Sequence, residues 1–187
     1  MDAIAHCMET FMSPAFNPPA DGIALDGLRR GWAHIERATF SPLDRDARLN
    51  MMSASLQGAL AFQKGLGCVH SLSHSLGGID PRLHHGTLNA IFLPAVIEFN
   101  MAAASVKHEK CLPRMAEAMR ISDPGRVPDA IREMNVKIGL PKGLSEVGVA
   151  RESFPEIISR ALLDHCHKTN PRVASNEDYR EILEASM

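Results

Sequence analysis

The 187-residue sequence has few aromatic residues, no closely spaced cysteines and no long apolar run. Aromatic residues make up only 5% of the chain, whereas alanine and methionine are plentiful. Because strands favour β-branched and aromatic side chains while helices favour alanine and methionine, this composition favours packed helices. No segment alternates apolar and polar residues as a half-buried strand does, and there is no internal repeat. The sequence therefore predicts an all-α fold.

Cysteine and charge patterns exclude several classes of protein. The four cysteines form no C-x-x-C pair, which excludes a zinc ribbon and a dithiol redox motif. The formal net charge is -2, and the scattered lysines and arginines form no basic stripe for nucleic acid or a membrane surface. No apolar run approaches the ~20 residues that span a bilayer, and the first residues are not typical of a signal peptide. We expect a cytoplasmic protein with one domain over residues 1–187.

The spacing of apolar residues predicts a series of helices. The first covers residues 2–12, and the second begins with Asp21 as its cap. A third helix, over residues 45–64, is expected to be largely buried because it contains many alanine, leucine and methionine residues. Further helices are predicted over residues 68–76 and 85–100, where several histidines occur.

The chain contains nine histidines, and some of them have spacings that suit a metal site. An aspartate and a histidine four residues apart on a helix can bind one divalent cation, and two further imidazoles can complete a four-ligand site with open positions for substrate. The residues that can supply it are Asp2, His6, His70 and His85. Spacing alone leaves open that these are surface or core histidines.

Three sequence strings carry a resemblance to a known family. They are DAIAHCME at residues 2–9, GCVHSLSHSLG at residues 67–77 and HGTLNA at residues 85–90. In this order they closely resemble the C-terminal domain of the iron-containing (group III) alcohol dehydrogenases, a helical bundle of the dehydroquinate synthase-like superfamily. The resemblance continues through Asp164-His165-Cys166 and Asn170-Pro171-Arg172, so it covers essentially the whole chain.

The resemblance implies an iron(II) site with four ligands: Asp2, His6, His70 and His85. It also implies that His74 lies near the nicotinamide and the substrate and that Cys166 lines the substrate pocket. His85 fits the family string H-G-x-x-N-A, whereas His84 does not. A divalent ion in such a site polarises an alcohol or carbonyl oxygen, and His74 would relay a proton to solvent. The donor set also suits zinc, so the choice between Fe²⁺ and Zn²⁺ stays open.

Hydride transfer also needs NAD or NADP, which the family binds on an N-terminal α/β domain with a glycine-rich turn. Gly65-x-Gly67 and Gly77-Gly78 lack the strand that precedes such a turn. We therefore expect a truncated or split chain, the metal-binding half of an enzyme that oxidises a small alcohol or reduces an aldehyde. Its expected partner is a complementary nucleotide-binding domain or chain, and an exposed cleft wall also predicts a homo-oligomer.

Two alternatives to this function stay open. The chain could be a non-catalytic metal-binding or assembly module that has lost redox turnover. It could also have the chemistry of the zinc-dependent dehydroquinate synthases or glycerol dehydrogenases, although the Asp-x-x-x-His start fits the iron enzymes better.

Overall fold

The computed structural model describes residues 1–187 and contains helices but no strand. The α-helices are α1 (Asp2–Met12), α2 (Pro18–Phe40), α3 (Arg45–Ala61), α4 (Cys68–Ile79), α5 (His85–Asn100), α6 (Ala104–His108), α7 (Cys111–Met119), α8 (Val127–Lys137), α9 (Phe154–Leu163) and α10 (Asn176–Ala185). Short 3₁₀ helices connect some of them, including Phe62–Lys64 and His165–Thr169. The prediction of an all-α fold is confirmed.

Helix α2 begins earlier than predicted. Its cap is Asn17, whose Oδ1 accepts a hydrogen bond from the backbone N–H of Ala20 at 3.3 Å, and two prolines occupy the next two positions. Proline suits the first helical turn because its φ is already helical and its missing N–H would have no partner there. The prediction of Asp21 as the cap is wrong, since Asp21 lies within the first turn and pairs with Lys64.

Helix α3 is much less buried than predicted. Its buried face consists of small residues: Ala47, Ala54, Gly58 and Ala61. The larger apolar residues lie elsewhere on the helix and are half or more exposed: Leu49, Met52, Leu56 and Leu60. A Cβ atom at Gly58 would lie only 2.9 Å from the Cβ of His6, so glycine is needed for α3 to approach α1. The expectation that residues 45–64 are largely buried is therefore wrong.

The helices pack around one core that brings α1, α4 and α5 together. Helices α1, α2 and α3 contact one another, α4 packs on α5 and α9, and α5 also contacts α1, α8 and α10. A single cluster of 41 buried apolar residues joins these elements. No helix has both the length and the apolar character that crossing a membrane requires. Because α5 touches both α1 and α4, polar residues at the starts of these three helices can meet.

Candidate metal centre

The donor atoms of four predicted ligands converge where α1, α4 and α5 meet. One donor atom from each lies within 4.8 Å of the others: Asp2, His6, His70 and His85. The Oδ1 atom of Asp2 lies 3.6 Å from Nε2 of His6, 3.6 Å from Nε2 of His85 and 3.9 Å from Nε2 of His70. Two ligands that are each about 2.1 Å from a tetrahedral ion lie about 3.4 Å apart. The donor types and their spacing therefore fit a divalent cation.

The cluster is closed on one side and open on the other. The side chain of His70 is 1% exposed and that of His6 is 16% exposed, whereas Asp2 and His85 are about 40% exposed. The ring of His6 stacks on His70 at 4.6 Å and meets the edge of Phe62 at 4.5 Å. The buried rings have fixed orientations, and the open side leaves room for a further ligand, as catalytic metal sites require.

Glu9 is a residue of this site that the sequence reasoning missed. It is buried on α1, where its Oε2 accepts a hydrogen bond from Nδ1 of His70 and its Oε1 accepts one from the backbone N–H of Val69 at 2.8 Å. A carboxylate that is hydrogen-bonded to Nδ1 keeps the ring proton on that nitrogen, so the lone pair of Nε2 is free for a metal. The available signal was an acidic residue among the apolar residues of α1.

The first turn of α4 is fixed by side chains from distant parts of the chain. The backbone N–H of Cys68 donates to Oδ1 of Asn170 at 3.1 Å, and the next backbone N–H, that of Val69, donates to Glu9. A Cβ atom at Gly67 would lie 2.5 Å from Oδ1 of Asn170 and 2.8 Å from Oε1 of Glu9. Only glycine leaves room for both caps, so Gly67 helps to place His70.

Asn89 is a second residue of the site that was not predicted. It lies one turn after His85 on α5, and its Nδ2 donates to Oδ1 of Asp2 at 2.6 Å. The same nitrogen lies 3.0 Å from Nε2 of His85 and 3.2 Å from Nε2 of His70. Its amide oxygen is buried and has no hydrogen-bond partner. The single amide nitrogen of Asn89 therefore contacts three of the four donor side chains.

The protonation states of the cluster also suit a metal. Burial, and after it the neighbouring imidazoles, lower the pKa of His6 to about 4 against the attraction of Asp2. Burial also lowers the pKa of His85. Burial raises the pKa of Asp2, but His6, the hydrogen bond from Asn89 and the other imidazoles outweigh it, so the net shift is downward. Neutral imidazoles and an ionised carboxylate are the forms that bind metal at neutral pH.

The remaining histidines of this region occupy two different positions. His84 is exposed and caps α5, with its Nδ1 3.3 Å from the backbone N of Thr87, so the structure brings His85 and not His84 into the cluster. His74 lies outside the four, but its ring stacks on that of His85 at 5.5 Å. Its Nδ1 lies 3.0 Å from Oδ2 of Asp164.

Cys166 is buried beside this pair. Its backbone N–H donates to Oδ1 of Asp164 at 2.8 Å, and its Sγ lies 3.4 Å from Nε2 of His165. Burial, followed by the charge of Asp164, raises the pKa of its thiol. The sequence reasoning named Cys166 and His74 but missed Asp164, which contacts both.

Comparison with known proteins gives the family of this chain. The model of the Fe-containing alcohol dehydrogenase family, C-terminal, matches residues 1–187. The chain belongs to this family. It is 62% identical over 191 residues to 4-hydroxybutyrate dehydrogenase from Cupriavidus necator, an alignment that covers 100% of this chain and 50% of that protein. It is 36% identical to alcohol dehydrogenase 4 from Saccharomyces cerevisiae, covering 98% of this chain and 48% of that protein.

Solved structures support the same family, and they too match this chain with only about half of their own length. The crystal structure of a 1,3-propanediol oxidoreductase matches with a TM-score of 0.92 at 29% identity, covering 100% of this chain and 50% of that one. An alcohol dehydrogenase from Oenococcus oeni matches with a TM-score of 0.91 at 25% identity, also over 100% of this chain and 50% of that one. The chain spans about half the length of the relatives it matches. The resemblance to the C-terminal domain of an oxidoreductase family is confirmed.

Proposed function

We propose that this chain is the metal-binding, catalytic half of an iron-dependent alcohol dehydrogenase that oxidises a small alcohol or reduces an aldehyde. The convergence of one carboxylate and three imidazoles in a half-open cluster carries the proposal. We further propose that residues 1–187 act as one domain and that NAD or NADP is bound by a complementary nucleotide-binding domain or chain. The family description supports Fe²⁺ as the ion, and Zn²⁺ suits the same donors.

The proposed ligands are the four that converge: Asp2, His6, His70 and His85. A divalent ion bound to them supplies Lewis-acid polarisation of an alcohol or carbonyl oxygen. Glu9 keeps the Nε2 lone pair of His70 directed at the site, and Asn89 fixes the carboxylate of Asp2 through its 2.6 Å hydrogen bond. A substrate oxygen can approach the ion from the exposed sides of Asp2 and His85.

His74 is the proposed proton relay between this site and solvent. Its ring lies against His85, and its side chain is 36% exposed, so it reaches both the site and water. Asp164 accepts a hydrogen bond from Nδ1, which leaves Nε2 to accept or donate a proton. Cys166, buried next to Asp164, is the proposed pocket residue.

The names of three relatives suggest which substrate to test. A protein that is 62% identical is named a 4-hydroxybutyrate dehydrogenase, and more distant relatives are named for 1,3-propanediol and methanol. All of these names describe small alcohols. We therefore propose a short hydroxy acid such as 4-hydroxybutyrate as the first substrate and the simple diol as the second.

Metal binding by matched variants tests the proposal. Wild type, a His70→Ala/His85→Ala double variant and His84→Ala are purified anaerobically, and Fe²⁺ binding is measured by calorimetry. His84 is the control because it adjoins His85 but lies outside the cluster. We expect one ion in this cluster for wild type and His84→Ala and none there for the double variant. Equal binding by all three proteins would contradict the ligand assignment.

A second assay separates an enzyme from a binding module. The chain is mixed with the nucleotide-binding half of the Cupriavidus necator relative, and reduction of NAD is followed with 4-hydroxybutyrate. Turnover with wild type and His84→Ala, but not with the double variant, supports the dehydrogenase. Full metal binding without turnover in any mixture supports the assembly module instead.

A further inference from the structure

A second group of donor side chains lies beside the candidate metal centre and shares no residue with it. One donor atom from each of its members lies within 4.8 Å of the others: His74, Asp164, His165 and Cys166. His74 follows His70 by one turn on α4. The other three are consecutive: Asp164 lies between α9 and the 3₁₀ helix His165–Thr169, and His165 and Cys166 are the first two residues of that helix. Helix α4 therefore contributes a histidine to each of two adjacent groups.

Hydrogen bonds already hold this second group near ligand spacing. Asp164 accepts from the backbone N–H of Cys166 at 2.8 Å and from Nδ1 of His74 at 3.0 Å. Nε2 of His165 lies 3.4 Å from Sγ of Cys166, which is close to the ~3.5 Å expected for a nitrogen and a sulfur on one tetrahedral zinc. The rings of His165 and His74 stack at 5.8 Å. All four residues therefore already offer a donor atom within 4.8 Å of the other three.

The two groups differ in the charge and softness of their donors. The first offers one carboxylate and three imidazoles, so a divalent ion bound there keeps a net positive charge that suits polarising a substrate. The second offers a carboxylate and a thiolate with two imidazoles, which together neutralise a divalent ion. Sulfur donors select zinc, cobalt or cadmium over magnesium and calcium. On binding, a metal–sulfur bond forms and the thiol proton of Cys166 leaves to solvent, so binding strengthens as the pH rises.

We propose that His74, Asp164, His165 and Cys166 form a second divalent-cation site that takes zinc-class ions. Occupancy of this site engages His74, which is also the proposed proton relay. Excess zinc therefore inhibits the assembled enzyme by removing the relay from proton exchange. This inhibition rests on the proposed function, whereas the binding of the second ion does not.

Cobalt is the probe that distinguishes the two sites. A thiolate bound to Co²⁺ gives an intense near-ultraviolet charge-transfer band that nitrogen and oxygen donors do not give, and Cys166 is the only cysteine in either group. The anaerobic chain is titrated with Co²⁺ as wild type, Cys166→Ser, His165→Ala and the His70→Ala/His85→Ala double variant. Cys111→Ser is the matched control, since Cys111 is also a buried free cysteine but belongs to neither group.

The proposal predicts a different result for each variant. Wild type and Cys111→Ser bind two ions and show the band, Cys166→Ser binds one ion without the band, and the double variant binds one ion with the band. His165→Ala keeps the first ion and weakens the second by at least about tenfold, since even outer-shell changes in metal sites cost that much. His165 is exposed, so this variant retains the fold even if Cys166→Ser does not, and thermal melting checks both.

Two results overturn the proposal. A wild-type chain without the band at saturating Co²⁺ has no thiolate site, and a band that persists in folded Cys166→Ser arises from another cysteine. The two proposals can fail separately. A wild-type chain that shows the band but binds no ion at the first site contradicts the proposed function alone. Retention of one ion without the band in wild type contradicts only the second site.

Discussion

Replacement of Glu9 by glutamine is the most direct test of how His70 is oriented. The substitution keeps the size of a buried side chain and removes its ability to accept two hydrogen bonds. The glutamine oxygen can still accept from the backbone N–H of Val69, but its NH₂ group then faces Nδ1 of His70. That nitrogen must become an acceptor, so the ring proton moves to Nε2. Nε2 is the atom that faces Asp2 at 3.9 Å, and the candidate centre loses one donor.

The expected magnitudes follow from this change of tautomer. Loss of an outer-shell partner usually weakens metal binding about 10- to 100-fold, and we expect the upper part of that range because the ligand nitrogen itself is blocked. This corresponds to about 2–3 kcal/mol of binding free energy. Removing a charge-assisted hydrogen bond costs about 1.5–3 kcal/mol, and the hydrogen bond that the glutamine amide makes instead restores about 1 kcal/mol, so the free energy of unfolding should fall by about 0.5–2 kcal/mol.

Two measurements check the result. Long-range ¹H–¹⁵N spectra report which nitrogen of His70 carries the proton, and calorimetry gives the dissociation constant for Fe²⁺. Glu152→Gln is the matched control, because it removes the same charge from an exposed position and should leave both unchanged. If Glu9→Gln keeps the proton on Nδ1, or binds Fe²⁺ as tightly as the control, the reasoning is wrong.

Three further substitutions test the packing and the electrostatics. Asn170→Ala leaves the buried N–H of Cys68 without a partner, so we expect urea denaturation to show a loss of about 1–3 kcal/mol in the free energy of unfolding; a loss below about 1 would contradict the capping role. Burial opposes ionisation of Asp26, but hydrogen bonds from Arg30 and nearby side chains lower the pKa of Asp26 to about 2. The ionised carboxylate therefore stabilises the fold fully above the ordinary pKa of ~3.9, and this stabilisation is lost as the pH falls through 2. Asp26→Asn should therefore lower the free energy of unfolding at pH 7 by about 1 kcal/mol after solvent screening and have little effect near pH 2; a difference that does not depend on pH would contradict this. Leu56→Lys should change the unfolding free energy by less than about 0.5 kcal/mol, because this leucine on α3 is 60% exposed, and a large loss would show that the face is covered.

Helix positions were predictable where local sequence decides them. The ranges predicted for the first helix and for residues 85–100 agree with α1 and α5, because apolar residues recur along the whole of each segment. The start of α2 was missed because Asp21 and Asn17 are both good caps, and the two prolines after Asn17 decide between them. The local signal was present in the sequence and was assigned to the wrong residue.

The burial of α3 could not be predicted from its own sequence. Leucines and methionines are normally the buried residues of a helix, but here Ala54 and Gly58 face the core because α1 and α2 pack too closely for larger side chains. How closely these helices approach α3 depends on their own sequences and packing, so the sequence of α3 alone does not reveal it. The same reason applies to the site, where Glu9 contacts Val69 and His70 some 60 positions away and no spacing rule joins them.

Carboxylates and histidines have different parts in this site because of where the helices begin. Asp2 and His85 are the first residues of α1 and α5, and His70 lies in the first turn of α4. The positive end of a helix dipole disfavours a nearby cation, so imidazoles alone would bind a divalent ion less well here. Asp2 supplies a negative charge at that point, and Glu9 caps α4 while orienting His70. The histidines therefore set the geometry, and the two carboxylates make that geometry favourable for a cation.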